Sequence, residues 1–438
     1  MPHLNRDLWR LALPMILSNL STPLLGMVDT AVVGHLEHPY YLGAVALGGT
    51  LFSFLYWGFG FLRMGTTGLT AQALGRGDEA EITAALARAL ILSLVIATAL
   101  LALQKPISTL AFRLLEASAQ AELHGRRYFS IRILSAPATL ATYACIGWFI
   151  GLQNTRIPLF LTLLVNTLNI GLDFVFVWHL KWQVAGVAAA SVLAEYTGLM
   201  IALILVARQR RSLSPPGWPK ILHWPALRKM FAVNLHLFVR TLLLIFSFAF
   251  FTAQSARLGD IVLAANTLLL NLQSFMAYTL DGFAHAAEAL VGRALGKRDP
   301  RLLRSTITLS GRWTMRFALA FSLTYSLFGE GIIQLLTSLP QVREEAVAYL
   351  PWAILLPPLS AWSFLLDGIF IGLTRVREMR NVMILSVIGF YLPSWWALQP
   401  AGNAGLWTAF AIFMTARALL MEMYRRRILA NLGLETKN

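Results

Sequence analysis

Apolar runs of about 20 residues follow one another along most of the chain, separated by short polar interruptions. Period-two alternation is absent, which argues against the strands of a membrane barrel. In hydrocarbon every backbone N–H and C=O must be bonded within its own segment, so each run predicts a transmembrane helix. The pattern predicts about twelve of them: 11–34, 42–74, 84–103, 129–152, 157–180 and 184–207, then 229–256, 261–295, 305–328, 349–373, 379–398 and 401–424. The second and eighth are long enough to tilt or to extend past the bilayer. The segment from 104 to 128 reads as a loop. Composition agrees: of 438 residues 57% are hydrophobic and only 13% charged, a balance that no ordinary soluble domain needs. The fold class is an all-α polytopic membrane protein.

The second set of spans repeats the first at an offset of 221 residues. Ala73-Leu74-Gly75 with Asp78 returns as Ala294-Leu295-Gly296 with Asp299. Gly147, Phe149-Ile150-Gly151-Leu152 and Arg156 return as Gly368, Phe370-Ile371-Gly372-Leu373 and Arg377. Tyr128, Leu134 and Pro137 return as Tyr349, Leu355 and Pro358. The expectation is two six-helix lobes, 1–207 and 229–438, with a ligand cleft between them and a cytoplasmic linker, 208–228. Pro215, Pro216, Pro219 and Pro225 leave no plausible span in that linker. Six helices per lobe give both copies the same topology.

The formal charge of +15 suggests nucleic acid in a soluble protein, but here the charges lie at helix ends without the aromatic interleaving of a nucleic-acid surface. Lys and Arg crowd one side of the predicted layout: Arg208, Arg210, Arg211, Lys220 and Arg228 in the linker with Lys229 just after it, Lys297 to Arg304, and Arg425 to Arg427. Lys105, Arg113, Arg126, Arg127, Lys181, Arg257 and Arg343 fall on the other. The asymmetry places both termini and the linker in the cytoplasm. The first apolar run is too long for a cleaved signal and reads as a retained helix. The single cysteine, Cys145, lies in an apolar run and reads as a packing residue.

Ionisable and amide side chains inside the spans are the functional candidates, because burying them in a bilayer is expensive. Asp29 sits near the outer end of the first span, on a helix interrupted by Pro14 and Pro23 and loosened by Gly26. Asn166, Asn169 and Asp173 share one face of the fifth span at spacings of three and four. Two carboxylates and two amides at one depth suit a proton- or cation-binding pocket; a polar ladder that glues helices together is the structural alternative. Asp281 and Glu288 share a face of the eighth span and Asp367 lies in the tenth, with Arg240 and Arg63 as natural counter-ions. Glu195, His236 and His285 complete the set, with charge pairing or simple hydrogen bonding as their structural reading.

Several of these residues lie in motifs that carry a family resemblance. Leu13-Pro14-Met15-Ile16 with Val28-Asp29-Thr30-Ala31-Val32-Val33-Gly34-His35-Leu36 resembles the first helix of the multidrug and toxic compound extrusion (MATE) family. Thr67 to Ala73 is similar to its second helix, and Asn169-Ile170-Gly171-Leu172-Asp173 to its fifth. Leu366 to Arg375, followed by Glu378-Met379-Arg380-Asn381, resembles the DinF branch, as do Leu280 to Ala284 and Ala287 to Gly292. The resemblance spans essentially the whole chain. It implies two six-helix lobes around a V-shaped cleft and export by alternating access, coupled to inward flow of protons or, in some branches, sodium. It implies a proton site at Asp29, Asn169 and Asp173, with a bend at Pro14. Sodium-coupled relatives carry an acid on the seventh helix where this chain offers Arg240, and Asp367 matches an acidic position on the tenth.

The combined reading is a proton-coupled exporter of small amphiphilic, cationic compounds in a bacterial inner membrane, acting as a monomer among lipids. A flippase for lipids or lipid-linked precursors and a sodium-coupled exporter are the alternatives. Phosphate-binding loops, His-Glu-x-x-His pairs and nucleophile elbows are absent from the sequence, so no enzymatic role and no cofactor beyond an ion gradient is expected.

Overall fold

The computed structural model describes residues 2–34, 38–115 and 118–431, which are helical or in short turns with no strand among them. Helix α1 is Pro2–Gly34; α2 (Pro39–Gly58) and α3 (Phe61–Arg76) make one pass broken at Phe59 and Gly60. After α4 (Glu79–Ala102) and α5 (Gln104–Leu115), α6 (Ala119–Arg132) runs through a 3-10 turn, Ile133–Ser135, into α7 (Ala136–Gly151). Next, α8 (Arg156–Asp173) widens into a π-helical turn, Phe174–His179, before α9 (Gln183–Arg210) and the short α10 (Trp218–Ile221). The second repeat comprises α11 (Trp224–Arg257), α12 (Asp260–Gly296), α13 (Pro300–Leu336) and α14 (Pro340–Gly372). It continues with α15 (Val376–Ile384), a π turn at Leu385–Tyr391, α16 (Leu392–Leu398) and α17 (Gly402–Asn431).

By length and composition, ten helical stretches among the described residues can cross a membrane. One of them, Val376–Ala430, turns back at Gln399–Ala401 and Gly402, so that α17 packs along α16 and the π turn as a hairpin of two passes. With α1, which has 33 residues, the described residues make twelve passes. The chain divides into two compact units, Leu17–Phe231 and Met1–Ile16 with Ala232–Asn438. Where the sequence reading kept each leading helix whole, this division cuts α1 after Ile16 and α11 after Phe231.

The repeat is written into the backbone. Left-handed turns fall at Gly77 and Arg298, at Gln153 and Thr374, and at Lys181 and Gly402, each pair 221 residues apart. Asp78 accepts from the Glu81 N–H at 3.0 Å to cap α4, and Asp299 accepts from the Leu302 N–H at 2.9 Å to cap α13. A Cβ on Gly147 would lie 2.3 Å from the carbonyl oxygen of Arg63, and one on Gly368 would lie 2.1 Å from that of Ala284. These four residues are again two pairs in the same register. Glycine is required there because two helix backbones touch.

Helices α5 (Gln104–Leu115) and α6, from Ala119 onward, fill most of the segment 104–128, which corrects the loop reading. Its hydropathy is low because α5 is amphipathic, with Phe112 buried and Leu110 exposed. Phe112 lies against Gly125 of α6, where a Cβ would come within 2.7 Å of the ring. The polar start of α6 is carried by an Arg126–Glu122 pair at 2.7 Å.

The stretch after α9 is docked along the first unit. Buried Arg88 of α4 holds Glu81 through two donors, at 2.7 and 3.2 Å. It also donates to the carbonyls of Lys220 and Ile221, at 2.6 and 3.0 Å, which close the C-terminal end of α10. Lys220 Nζ donates to Asp78 at 2.8 Å, and the Ser214 N–H and hydroxyl donate to Glu79 at 3.1 and 2.9 Å. Partial burial pushes the Asp78 carboxyl upward, but the bonds from Lys220 and from the Glu81 N–H outweigh it and hold the pKa below its usual value.

Two outcomes follow from this packing. Gly147→Ala and Gly368→Ala should each lower thermal stability in detergent, by about 1–3 kcal/mol or more, since neither opposing backbone can move aside. A wild-type melting temperature in either variant would refute the close approach. Because its folded pKa is depressed, Asp78 supports linker docking fully above about pH 4 and loses that contribution as pH falls through the depressed value. A spin label at Ser212 should therefore grow more mobile in acid, and Arg88→Ala should produce that mobility at neutral pH.

Candidate functional site

Helix α8 carries the polar face of the first unit. Ser18 of α1 donates to Thr162 at 2.9 Å, and Asn166 donates to the carbonyl and hydroxyl oxygens of Ser21 at 3.4 and 3.3 Å. One turn on, Asn169 is buried and donates to Ser191 of α9 at 3.0 Å. Asp173, the last α-helical residue before the π turn, is 0% exposed. The spacings of three and four thus direct one face of α8 to α1 at one end and to α9 at the other. A π turn directly after a buried acid loosens the local backbone hydrogen-bond pattern at the point where the acid sits.

Helix α1 supplies the partner strip. It stays helical through Pro14 and Pro23, so each proline removes one hydrogen bond, to the carbonyls of Arg10 and Asn19, without ending the helix. Pro14 is half-buried and Pro23 exposed. Asp29 falls on the last turns of α1, and its side chain lies outside the described residues.

The acids of the second unit are organised differently. Asp367 of α14 is clasped by Arg240 of α11 and by Arg417 of α17, the latter at 3.0 Å. All three are buried, and Arg417 is 1% exposed. One oxygen of Asp367 takes both arginines, while its other oxygen and the Nε of each arginine have no hydrogen-bond partner among the described residues. Asp281 is half-buried and within electrostatic reach of Arg417. Glu288 is 0% exposed, with His285 Nδ1 at 3.7 Å from its carboxylate. His236 meets Arg380 at 3.1 Å. Arg63, grouped above with the second-half acids, lies on α3 of the first unit, where Tyr143 is within its electrostatic reach. There Glu195 pairs with Arg132 at 3.5 Å.

One family model matches this chain twice, over residues 14–175 and again over 237–396, in step with the internal repeat. The chain belongs to the MatE family. It is 43% identical to DNA damage-inducible protein F of Escherichia coli K12 over 424 residues, 97% of this chain and 92% of that protein. A probable multidrug resistance protein NorM of Thermotoga maritima is 26% identical over 355 residues, 78% of this chain and 74% of its own length. Among solved structures, an outward-facing multidrug resistance MATE family transporter of the MOP superfamily aligns with a TM-score of 0.89 at 18% identity. That alignment covers 99% of this chain and 97% of that one, and it places this MatE protein in the same fold.

Two arginines central to these clusters, Arg417 and Arg132, escaped the sequence reading of this MatE chain. Both stand inside predicted spans, 401–424 and 129–152, and the cost of burying an ionisable group was the signal that singles them out. Hydroxyl partners such as Ser18, Ser21 and Ser191 leave no such mark, because serine is common in membrane helices.

The clasp on Asp367 makes it a structural ion pair. Asp367→Asn leaves two buried guanidinium groups facing each other and should cost roughly 3–5 kcal/mol of stability. Replacing Arg240, Asp367 and Arg417 together by apolar residues of similar volume should recover most of it. Melting temperatures in detergent check both, and a fully stable Asp367→Asn variant would show that the pairing carries no such load.

Proposed function

We propose that this chain is a secondary exporter that moves amphiphilic, cationic compounds out of the cytoplasm in exchange for protons, by alternating access. Both termini and the linker face the cytoplasm. The observation that carries the reading is Asp173, wholly buried at the end of a face already bound to α1 through Asn166 and to α9 through Asn169. A carboxyl in such a place changes its need for partners when it gains a proton. Protonation alters how tightly α1 and α9 are held to α8, and Pro14 and Pro23 let α1 respond. The multidrug resistance names of relatives such as NorM support a broad organic cargo.

Proton and cargo then compete for one state of the first unit, so loading one releases the other. A coupling of about 1–3 kcal/mol between the two is enough for useful exchange. Asp173→Asn and Asp29→Asn should each abolish proton-driven export from proteoliposomes while the protein remains folded. Cargo binding to the wild type should weaken as pH falls, and the Asn variants should lose that dependence. Wild-type export by both variants down an imposed proton gradient, or equal export on a sodium gradient alone, would overturn the reading.

A further inference from the structure

The first unit holds a second, half-buried ionic site that the polar face of α8 does not use. Arg132, the last residue of α6, sets its guanidinium over the rings of Phe52 and Tyr56 on α2, 5.7 and 5.5 Å from their centroids. The Glu195 carboxylate of α9 lies 3.5 Å away. Arg132 also donates to the Ser135 hydroxyl, which shares a 2.8 Å hydrogen bond with that of Tyr56. One carboxylate, two aromatic faces and a pair of hydroxyls thus surround a single cation, which is the chemistry proteins use to recognise organic cations.

The internal repeat indicates that packing alone does not require this arrangement. At the offset of 221 residues, Arg132 corresponds to Ala353, Glu195 to Ala416 and Tyr56 to Ala277. The register holds beside these positions, at Ser53-Phe54 and Ser274-Phe275, at Tyr128 and Tyr349, at Leu134 and Leu355, and at Leu199-Met200 and Leu420-Met421. Ala353 and Ala416 are buried, so alanine fills the equivalent space in the second unit. Ions placed there in the first unit carry a desolvation cost that the alanines avoid. Arg132 also stands where α6 yields to the 3-10 turn Ile133–Ser135, and its side chain and that of Glu195 keep 13% and 19% of their surface open.

We propose that Phe52, Tyr56 and Glu195 form a recognition site for a monovalent organic cation, occupied in this state by the Arg132 guanidinium, which the cargo displaces. The proposal rests on the export reading only for the class of cargo. Arg132 is a tethered competitor, and the apparent affinity of the site falls with the fraction of time it is seated. Its presence keeps an intramembrane carboxylate paired when no cargo is bound.

The test is equilibrium binding to the full chain in nanodiscs of zwitterionic lipid, with tetraphenylphosphonium and butylguanidinium as probes. Arg132→Ala should tighten binding of both by at least about tenfold, and adding Glu195→Gln or Tyr56→Ala should cancel the gain. Arg132→Gln serves where the alanine variant fails to fold. In the otherwise wild-type chain, Glu195→Gln should weaken binding several-fold. Unchanged or weaker binding by a folded Arg132 variant, a gain that survives Glu195→Gln, or wild-type binding by Glu195→Gln alone would each overturn the proposal. Because no gradient is imposed, these results stand apart from any failure of proton-driven export.

Discussion

Taking an ion out of water is the cost around which this protein is arranged. A charged side chain at the centre of a bilayer costs about 2.5–3.5 kcal/mol even on the mildest scale, and more when it cannot reach water. Each ionic group within the helices therefore has to find its partner in the protein, and where it does so fixes which helices are held together. Asp367 ties α11, α14 and α17 through two arginines. Arg132 ties α6 to α2 and α9 through two rings and a carboxylate. Even at the edge of the membrane, Arg88 satisfies the end of α10 and secures the linker with the same economy.

The duplication separates what the fold needs from what each unit has acquired. Backbone features recur in register: the three pairs of left-handed turns, the aspartate caps of α4 and α13, and the glycines where helices touch. The ionic clusters inside the spans do not recur. Arg240, Asp367 and Arg417 correspond to Asn19, Ile146 and Tyr196, just as Tyr56, Arg132 and Glu195 correspond to alanines and Phe52 to Gln273. Each unit thus carries its own ionic constellation on a common frame. The prolines follow the same rule, since Pro14 and Pro23 of α1 correspond to Leu235 and Leu244 of α11. At these positions only the leading helix of the first repeat gives up backbone hydrogen bonds to proline.

Legibility in the sequence followed the same physics. Apolar runs, the 221-residue register and the α8 face at Asn166, Asn169 and Asp173 were readable, because each is a local spacing that a helix must convert into geometry. The partnership of Arg240 with Asp367 was anticipated, yet its third member, Arg417, was not. Counting basic residues by the side of the membrane they mark passes over an arginine that stays inside. The helices α5 and α6 within 104–128 were hidden for a different reason. An amphipathic helix such as α5 buries one face through Phe112 and has no long apolar run to betray it. What spacing along one helix cannot supply is the identity of the neighbour across the gap, which is why Ser191 and Ser21 became visible only in three dimensions.

The magnitudes also separate the roles of the two units. Breaking a buried ion pair by removing a partner costs roughly 3–5 kcal/mol. A coupling between two ligands of a transporter is of order 1–3 kcal/mol. A cycle that opened the Asp367 clasp at every turnover would have to spend more than the coupling returns, so the clasp belongs to the frame of the second unit. The face on α8 is built from single amide–hydroxyl bonds, each worth about 0.5–1.5 kcal/mol net, and from one buried carboxyl. Those energies match the coupling that the proposed exchange of proton and cargo needs. The α8 face and the π turn lie in the first unit with Pro23, whereas Pro14 lies on the part of α1 that belongs to the second unit; on the proposed exchange, the first unit is the one held weakly enough to switch.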